Sequence, residues 1–196
     1  MKKHRAYRMT ARAESAEATG RRLIAAMHAL LGERPFEEIT LEAVAARAGV
    51  TLQTLLRRFG SKSGLVAAAA ADGVARVESQ RSAAPIGDAR GALSNLFDHY
   101  EEWGALSLRL LAEEERFADI ATITRDGRAL HAAWVARVFR PALARRRGRP
   151  RERLRVQLVA ACDVYVWKLM RRDLGLARAA AEDAVLGIVE ALIRGG

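Results

Sequence analysis

The sequence predicts an all-α protein, and three observations carry that prediction. Prolines stand only at 35, 85, 141 and 150, so almost nothing interrupts a helix along 196 residues. Apolar residues recur at three- and four-residue spacing, the period of a helix with one buried face. No alternating β-branched run of strand length is present. With 51% hydrophobic residues, the chain has enough apolar material for a packed core.

The elements follow in order. A first helix is expected over about 14–31, burying Leu23, Ile24, Met27, Leu30 and Leu31 before Gly32 and Pro35 break it. Thr40 can cap a short second helix whose inward face is Leu41, Val44, Ala45 and Ala48. Gly49 supplies a left-handed end to it, and Val50 plugs the corner. Thr51 can cap a third helix in which Leu55 and Phe59 face inward. That leaves Thr51, Leu52, Gln53 and Thr54 at an exposed helix tip, with Arg57, Arg58 and Lys62 behind it. Hydrogen-bonding side chains at the tip of a short helix, backed by cations, suit the major groove of DNA.

A long helix from Lys62 to Ser82 can link two domains. Pro85-Ile86-Gly87-Asp88 interrupts, and Asp88 can cap a helix over about 89–103. Gly104 is expected to separate that helix from one at 105–117. A further helix is expected over 122–145, ended or kinked by Pro141. Pro150 suits the first turn of a helix over 150–173, whose stripe is Leu154, Leu158, Cys162, Tyr165, Val166 and Leu169. The last helix, 177–194, buries Val185, Ile188, Val189 and Leu192. These last two helices keep apolar surface for a partner, which suggests a two-fold, four-helix interface.

Charge points to a polyanion. The net charge is +10, and residues 1–65 alone hold 12 Lys/Arg against 6 Asp/Glu. The arm carrying Lys2, Lys3, Arg5, Arg8 and Arg12 can be a solvated tail, track phosphates or enter a minor groove. The run Arg145-Arg146-Arg147-Gly148-Arg149-Pro150-Arg151 reads as an exposed loop between helices.

Other classes find little support. One cysteine, Cys162, allows no intrachain disulfide and fits a reducing, cytoplasmic setting. No apolar run is long enough to span a membrane. Histidines at 4, 28, 99 and 131 are scattered, and no HExxH, CxxC or phosphate loop occurs. Neither an enzyme nor a metal or cofactor site is therefore expected. The aromatic residues of the second half, Trp103, Phe117, Trp134 and Tyr165 among them, are core or the walls of a ligand pocket. His131 and Asp163 lie within the same apolar stretches. A charge there is costly unless partnered, so Asp163 should find His131, Arg109, Lys168 or a ligand.

Thr40, Val44-Ala45, Ala48-Gly49-Val50-Thr51, Thr54-Leu55, Phe59, Ser61-Lys62 and Leu65 together resemble the helix-turn-helix of the TetR family of bacterial transcriptional regulators. Leu23-Ile24-Ala25-Ala26 and Phe36 resemble that family's first helix and following turn. The match covers about 50 residues; the rest agrees in length and helical character. Where the family usually has a small residue, Tyr and His, this chain has Gln53, Leu56 and Arg57. Leu56 has no hydroxyl for a phosphate, which leaves Arg57 or Arg58 to supply that contact.

The resemblance implies a three-helix DNA-binding domain over 1–61 and a ligand-binding and dimerisation bundle over 62–196, about nine helices in all. It implies a dimeric repressor released from a palindromic double-stranded operator by a small molecule. An activator, or a regulator without a ligand, is the alternative within DNA binding; outside it stands a basic helical adaptor. Gln53 and Thr54 are the expected base readers with Thr51 and Leu52 beside them. Thr40, Arg57, Arg58 and Lys62 are expected on phosphates. Trp103, Phe117, His131, Trp134, Asp163 and Tyr165 are the expected ligand contacts.

Overall fold

The computed structural model describes the backbone of residues 2–195 and the side chains of 14–195. Every regular element among them is helical: α1 (Lys2–Glu33), a 3-10 turn (Phe36–Glu38), α2 (Leu41–Arg47), α3 (Leu52–Phe59), α4 (Lys62–Ser82), α5 (Ala89–Glu113), α6 (Ala118–Val138), α7 (Arg140–Ala144), α8 (Gly148–Ala161), α9 (Val164–Lys168), a π segment (Leu169–Asp173) and α10 (Arg178–Arg194). The all-α expectation holds.

The chain forms two compact units, Met1–Gly73 and Val74–Gly196, so the division falls inside α4. It lies past the start of the linking helix because Leu65, Val66 and Ala69 are all buried and α4 gives its first turns to the N-terminal core. That core also holds Leu23, Met27, Leu30, Phe36, Ile39, Val44 and Leu55.

The second unit is organised on α5, which packs against α6, α9 and α10, while α8 lies on α6 and α10. Its core joins Leu93, Leu96, Phe97 and Tyr100 of α5 to Trp134, Val135 and Val138 of α6 and to Leu158, Trp167, Val185 and Val189. Asp88 caps α5 by accepting from the Gly91 N–H at 3.1 Å. The Gly87 N–H donates to Val138 O at 2.9 Å, which ties the turn before α5 to the end of α6.

Four boundaries differ from expectation. The first helix begins at Lys2, not near 14, because no Pro or Gly interrupts the chain before Gly20. The side chains of Lys2, Lys3, Arg5, Arg8 and Arg12 lie outside the described residues. Gly104 does not end a helix; α5 runs through it to Glu113. A Cβ there would stand 2.6 Å from the Trp167 ring, so this glycine admits an indole against the α5 backbone. The helix expected over 122–145 runs instead over 118–138. Phe117 precedes it, and Pro141 opens α7. The helix expected over 150–173 breaks at Cys162-Asp163, where Asp163 restarts it. That break rotates the stripe: Trp167 is buried, while Tyr165 and Leu169 stand exposed.

Candidate nucleic-acid interface

Two threonines build the tip. Thr40 Oγ1 accepts the Ala43 N–H at 3.1 Å and starts α2. Thr51 Oγ1 accepts the Thr54 N–H at 3.2 Å and starts α3; it also lies 3.0 Å from Thr54 Oγ1. Each cap satisfies a backbone donor that the helix leaves open. Between them Gly49 takes φ 65°, a conformation that costs glycine nothing, and Val50 N–H closes the turn on Ala45 O at 3.0 Å.

This geometry fixes which side chains face out. Leu55 is fully buried and anchors α3. Thr51 and Gln53 are exposed; Leu52 and Thr54 are half-buried at the same tip. Thr54 shares its hydroxyl with the cap, whereas the exposed Gln53 carries an amide donor and acceptor that take no part in it. Leu56 is 39% exposed, an apolar side chain on the same helix.

The cations sort differently from expectation. Arg57 is exposed at the C-terminal end of α3. Arg58 reaches back to α1 and donates to Ala16 O at 2.8 Å. Gly20 makes that reach possible, because a Cβ there would collide with the guanidinium. Lys62 is half-buried; its ammonium donates to Phe36 O at 2.7 Å and sits 3.9 Å from the Phe36 ring centroid. Both therefore brace the three-helix unit. Arg47 likewise pairs in two-pronged fashion with Glu33, both bonds being 2.6 Å.

The aromatic residues of the second unit do not form one lined pocket. Trp134 is core, set edge-on to Phe139 at 6.2 Å between ring centroids. His131 is buried with it, its Nε2 at 3.1 Å from Val159 O. Trp103 and Phe117 are half-buried. Tyr165 is exposed, because the break at Cys162-Asp163 turns it outward. Asp163 is half-buried and needs no cationic partner: its carboxylate accepts the Tyr165 N–H at 2.9 Å as the cap of α9. The signal missed in the sequence was the local one, an Asp two residues ahead of an unsatisfied helix-start N–H. A groove of about 250 Å³ lies elsewhere, lined by Arg146, Pro150, Arg153, Leu154, Gln157 and Leu192.

No group of His, Cys, Asp and Glu among the described residues could hold a metal. No helix among them is long and apolar enough to cross a membrane.

Comparison with known proteins agrees with this geometry. No curated protein matches the sequence. A transcriptional regulator from Rhodococcus sp. Rha1 superposes with a TM-score of 0.70 at 19% identity, over 90% of this chain and 96% of that one. A candidate transcriptional regulator from Pseudomonas aeruginosa PAO1 superposes with a TM-score of 0.69 at 18% identity, over 90% of each chain. At those identities the likeness is one of fold. Residues 23–69 match the family model of the bacterial regulatory proteins of the tetR family, a span that contains both caps, the Gly49 turn and all of α3. With a capped α3 set on an all-helical frame, the chain carries over residues 23–69 the helix-turn-helix region of the bacterial regulatory proteins of the tetR family.

Proposed function

We propose that the protein is a cytoplasmic, homodimeric repressor that leaves a palindromic operator when a small molecule binds its C-terminal unit. The observation that carries the DNA half is the tip of α3, where Thr51, Leu52, Gln53 and Thr54 crown a helix held by Leu55 and by the Thr51 cap. In this reading Gln53 addresses a base edge, with Thr54 and Leu52 on neighbouring thymine methyls. Arg57 and Thr40 take phosphates, and Arg58 and Lys62 add charge while bracing the unit.

A single reading helix spans too few base pairs for useful affinity, so a second copy is needed. Exposed apolar side chains support a second copy as the partner: Val156 on α8 at 52%, Ile188 on α10 at 43%, and Leu174 in the connection before α10 at 60% exposure. Two-fold pairing there would set the reading helices about 34–36 Å apart, or a multiple of one DNA turn. Residues 1–61 would then read DNA, and residues 62–196 would sense the ligand and dimerise.

The test is to select bound fragments from sheared genomic DNA with the full-length protein, then footprint the recovered site. An inverted repeat protected on both half-sites, bound by a species of twice the chain mass in light scattering, is expected. Binding to all DNA alike, with no recovered motif, would favour the adaptor reading. Regulation of a reporter from the recovered site then separates repressor from activator.

A further inference from the structure

The second unit buries a cation with no anion to match it. Arg81, in the last turn of α4, is only 7% exposed. Its guanidinium lies 5.6 Å from the Tyr100 ring centroid and 5.5 Å from that of Trp134. One Nη stands 3.4 Å from His131 Nδ1. No carboxylate among the described residues is within ion-pair distance of it. Asp163 acts on Tyr100 and His131 through its charge, but it makes no ion pair with Arg81, and its Oδ1 accepts the Tyr165 N–H at the start of α9.

Three polar atoms are buried and unsatisfied on the cation and on two residues it acts on: Arg81 Nε, Trp134 Nε1, whose ring centroid lies 5.5 Å from the guanidinium, and His99 Nδ1, whose imidazole feels the Arg81 charge. Their residues are 7%, 4% and 6% exposed. Two of the three can only donate, and the imidazole can do so as its Nδ1–H tautomer. Burial, reinforced by Arg81 and His131, pushes His99 down to about 3, so this imidazole is neutral and brings no charge of its own. Trapped water could satisfy the donors but would leave the charge uncompensated. An anion with two acceptor oxygens answers both deficits at once. The faces of Tyr100 and Trp134 around the guanidinium favour an apolar body behind those oxygens.

We propose that Arg81, Trp134 and His99 receive the carboxylate of a small apolar organic acid. The proposal rests on reading the C-terminal unit as a ligand sensor and names the ligand class. A singly charged carboxylate suits one guanidinium better than a phosphate dianion, whose second charge would be buried without a partner. The contact loads the last turn of α4, where Arg81 O, and just past the helix Ala84 O, already accept from Arg137 at 2.7 and 3.2 Å. Arg81 O is thus clamped while its side chain takes the ligand.

Calorimetric titration of the full-length protein, without DNA, tests this with sodium benzoate and sodium hexanoate against benzamide and sodium chloride. Saturable binding of either carboxylate is expected, with none by the amide or chloride. Arg81→Met should weaken it by about 10- to 100-fold, the loss of a charged hydrogen bond. The same variant, free of ligand, should melt no lower than the wild type, because it removes an unmatched buried charge. Trp134→Phe keeps a ring and removes only the N–H; it should weaken binding several-fold and serves if Arg81→Met fails to fold. Equal heats from benzoate and from benzamide or chloride would overturn the proposal. So would unchanged affinity in both variants, or no response to any carboxylate. Operator selection is a separate measurement: carboxylate binding without a recovered motif would sink the regulator reading, and a motif without carboxylate binding would sink this one.

Discussion

Replacing Gly104 with alanine separates two readings of a helix-interior glycine. In a free helix the change is stabilising by up to about 1 kcal/mol, since alanine restricts the unfolded chain and exposes less backbone. Here the new Cβ would meet Trp167 at 2.6, 2.8 and 3.0 Å along one ring edge. Carbon contacts relax near about 3.5–4.0 Å, so the indole must retreat by nearly 1 Å. It has little room, being 1% exposed. Its Nε1 donates to Glu101 Oε1 at 3.1 Å, and Arg171 Nε holds the same oxygen at 2.6 Å. Forced overpacking of this kind costs about 1–3 kcal/mol. Set against the helix gain, Gly104→Ala should destabilise by about 1–2 kcal/mol. Gly127, inside α6 with nothing within 4 Å of its would-be Cβ, is the control. Gly127→Ala should stabilise by about 0.5–1 kcal/mol. Urea unfolding at one fixed protein concentration, followed by circular dichroism and tryptophan emission, measures both. If Gly104→Ala is as stabilising as Gly127→Ala, with unchanged emission, the indole yields freely and the close-packing argument fails.

Three further outcomes can be measured. Gln53→Ala should cost about 1–3 kcal/mol at the preferred operator and relax preference at one position per half-site in a binding-site selection; an equal loss on random DNA would remove Gln53 from base reading. Thr51→Ala removes the α3 cap bonded to the Thr54 N–H and should lower stability by about 1 kcal/mol in the same urea assay, a loss that Thr51→Ser should largely restore. His99 has an ordinary value of 6.5, lowered to about 3 in the fold, so the unfolded chain takes up a proton the folded one refuses. Stability is therefore whole above 6.5 and is lost as pH falls from there towards about 3. One pH step below the ordinary value is worth about 1.4 kcal/mol for a single group. His99→Gln should remove about that much of the decline between pH 7 and about 5.5, and an unchanged pH profile would count against a buried neutral imidazole.

Legibility followed locality. The two caps, the Gly49 turn and the anchor Leu55 are decided within four residues of sequence, and they read correctly from the chain alone. The Gly104 position read as a break because its reason, an indole arriving from Trp167, lies 63 residues downstream. Asp163 read as a buried charge in search of a cation because the stripe through Leu158 and Cys162 was extended past it. A cap was the cheaper solution, and it changed the phase of everything after. Lys62 and Arg58 read as phosphate ligands from their charge alone, since nothing nearby announces that Phe36 O and Ala16 O will accept from them. Arg81 stands in no motif. Its signal was its position, four residues after Val77 and three before Ala84, which places a guanidinium on the inward stripe of α4.

The break between α8 and α9 also places a single thiol where it can time the opening of the core. Cys162 is 2% exposed, and Tyr100 Oη donates to its carbonyl at 2.9 Å. Burial, reinforced by Asp163 and opposed by Arg81, pushes the thiol up to about 12, so thiolate is nearly absent in the closed bundle. Reaction with a chromogenic disulfide reagent then requires the α5–α9 packing to come apart. With one cysteine in 196 residues, every labelled molecule reports the same event, without assignment. The absorbance trace becomes a clock for breathing in the C-terminal unit, readable in the native state and under any added compound. A compound that docks beside Arg81 and tightens the bundle would slow that clock in proportion to its occupancy.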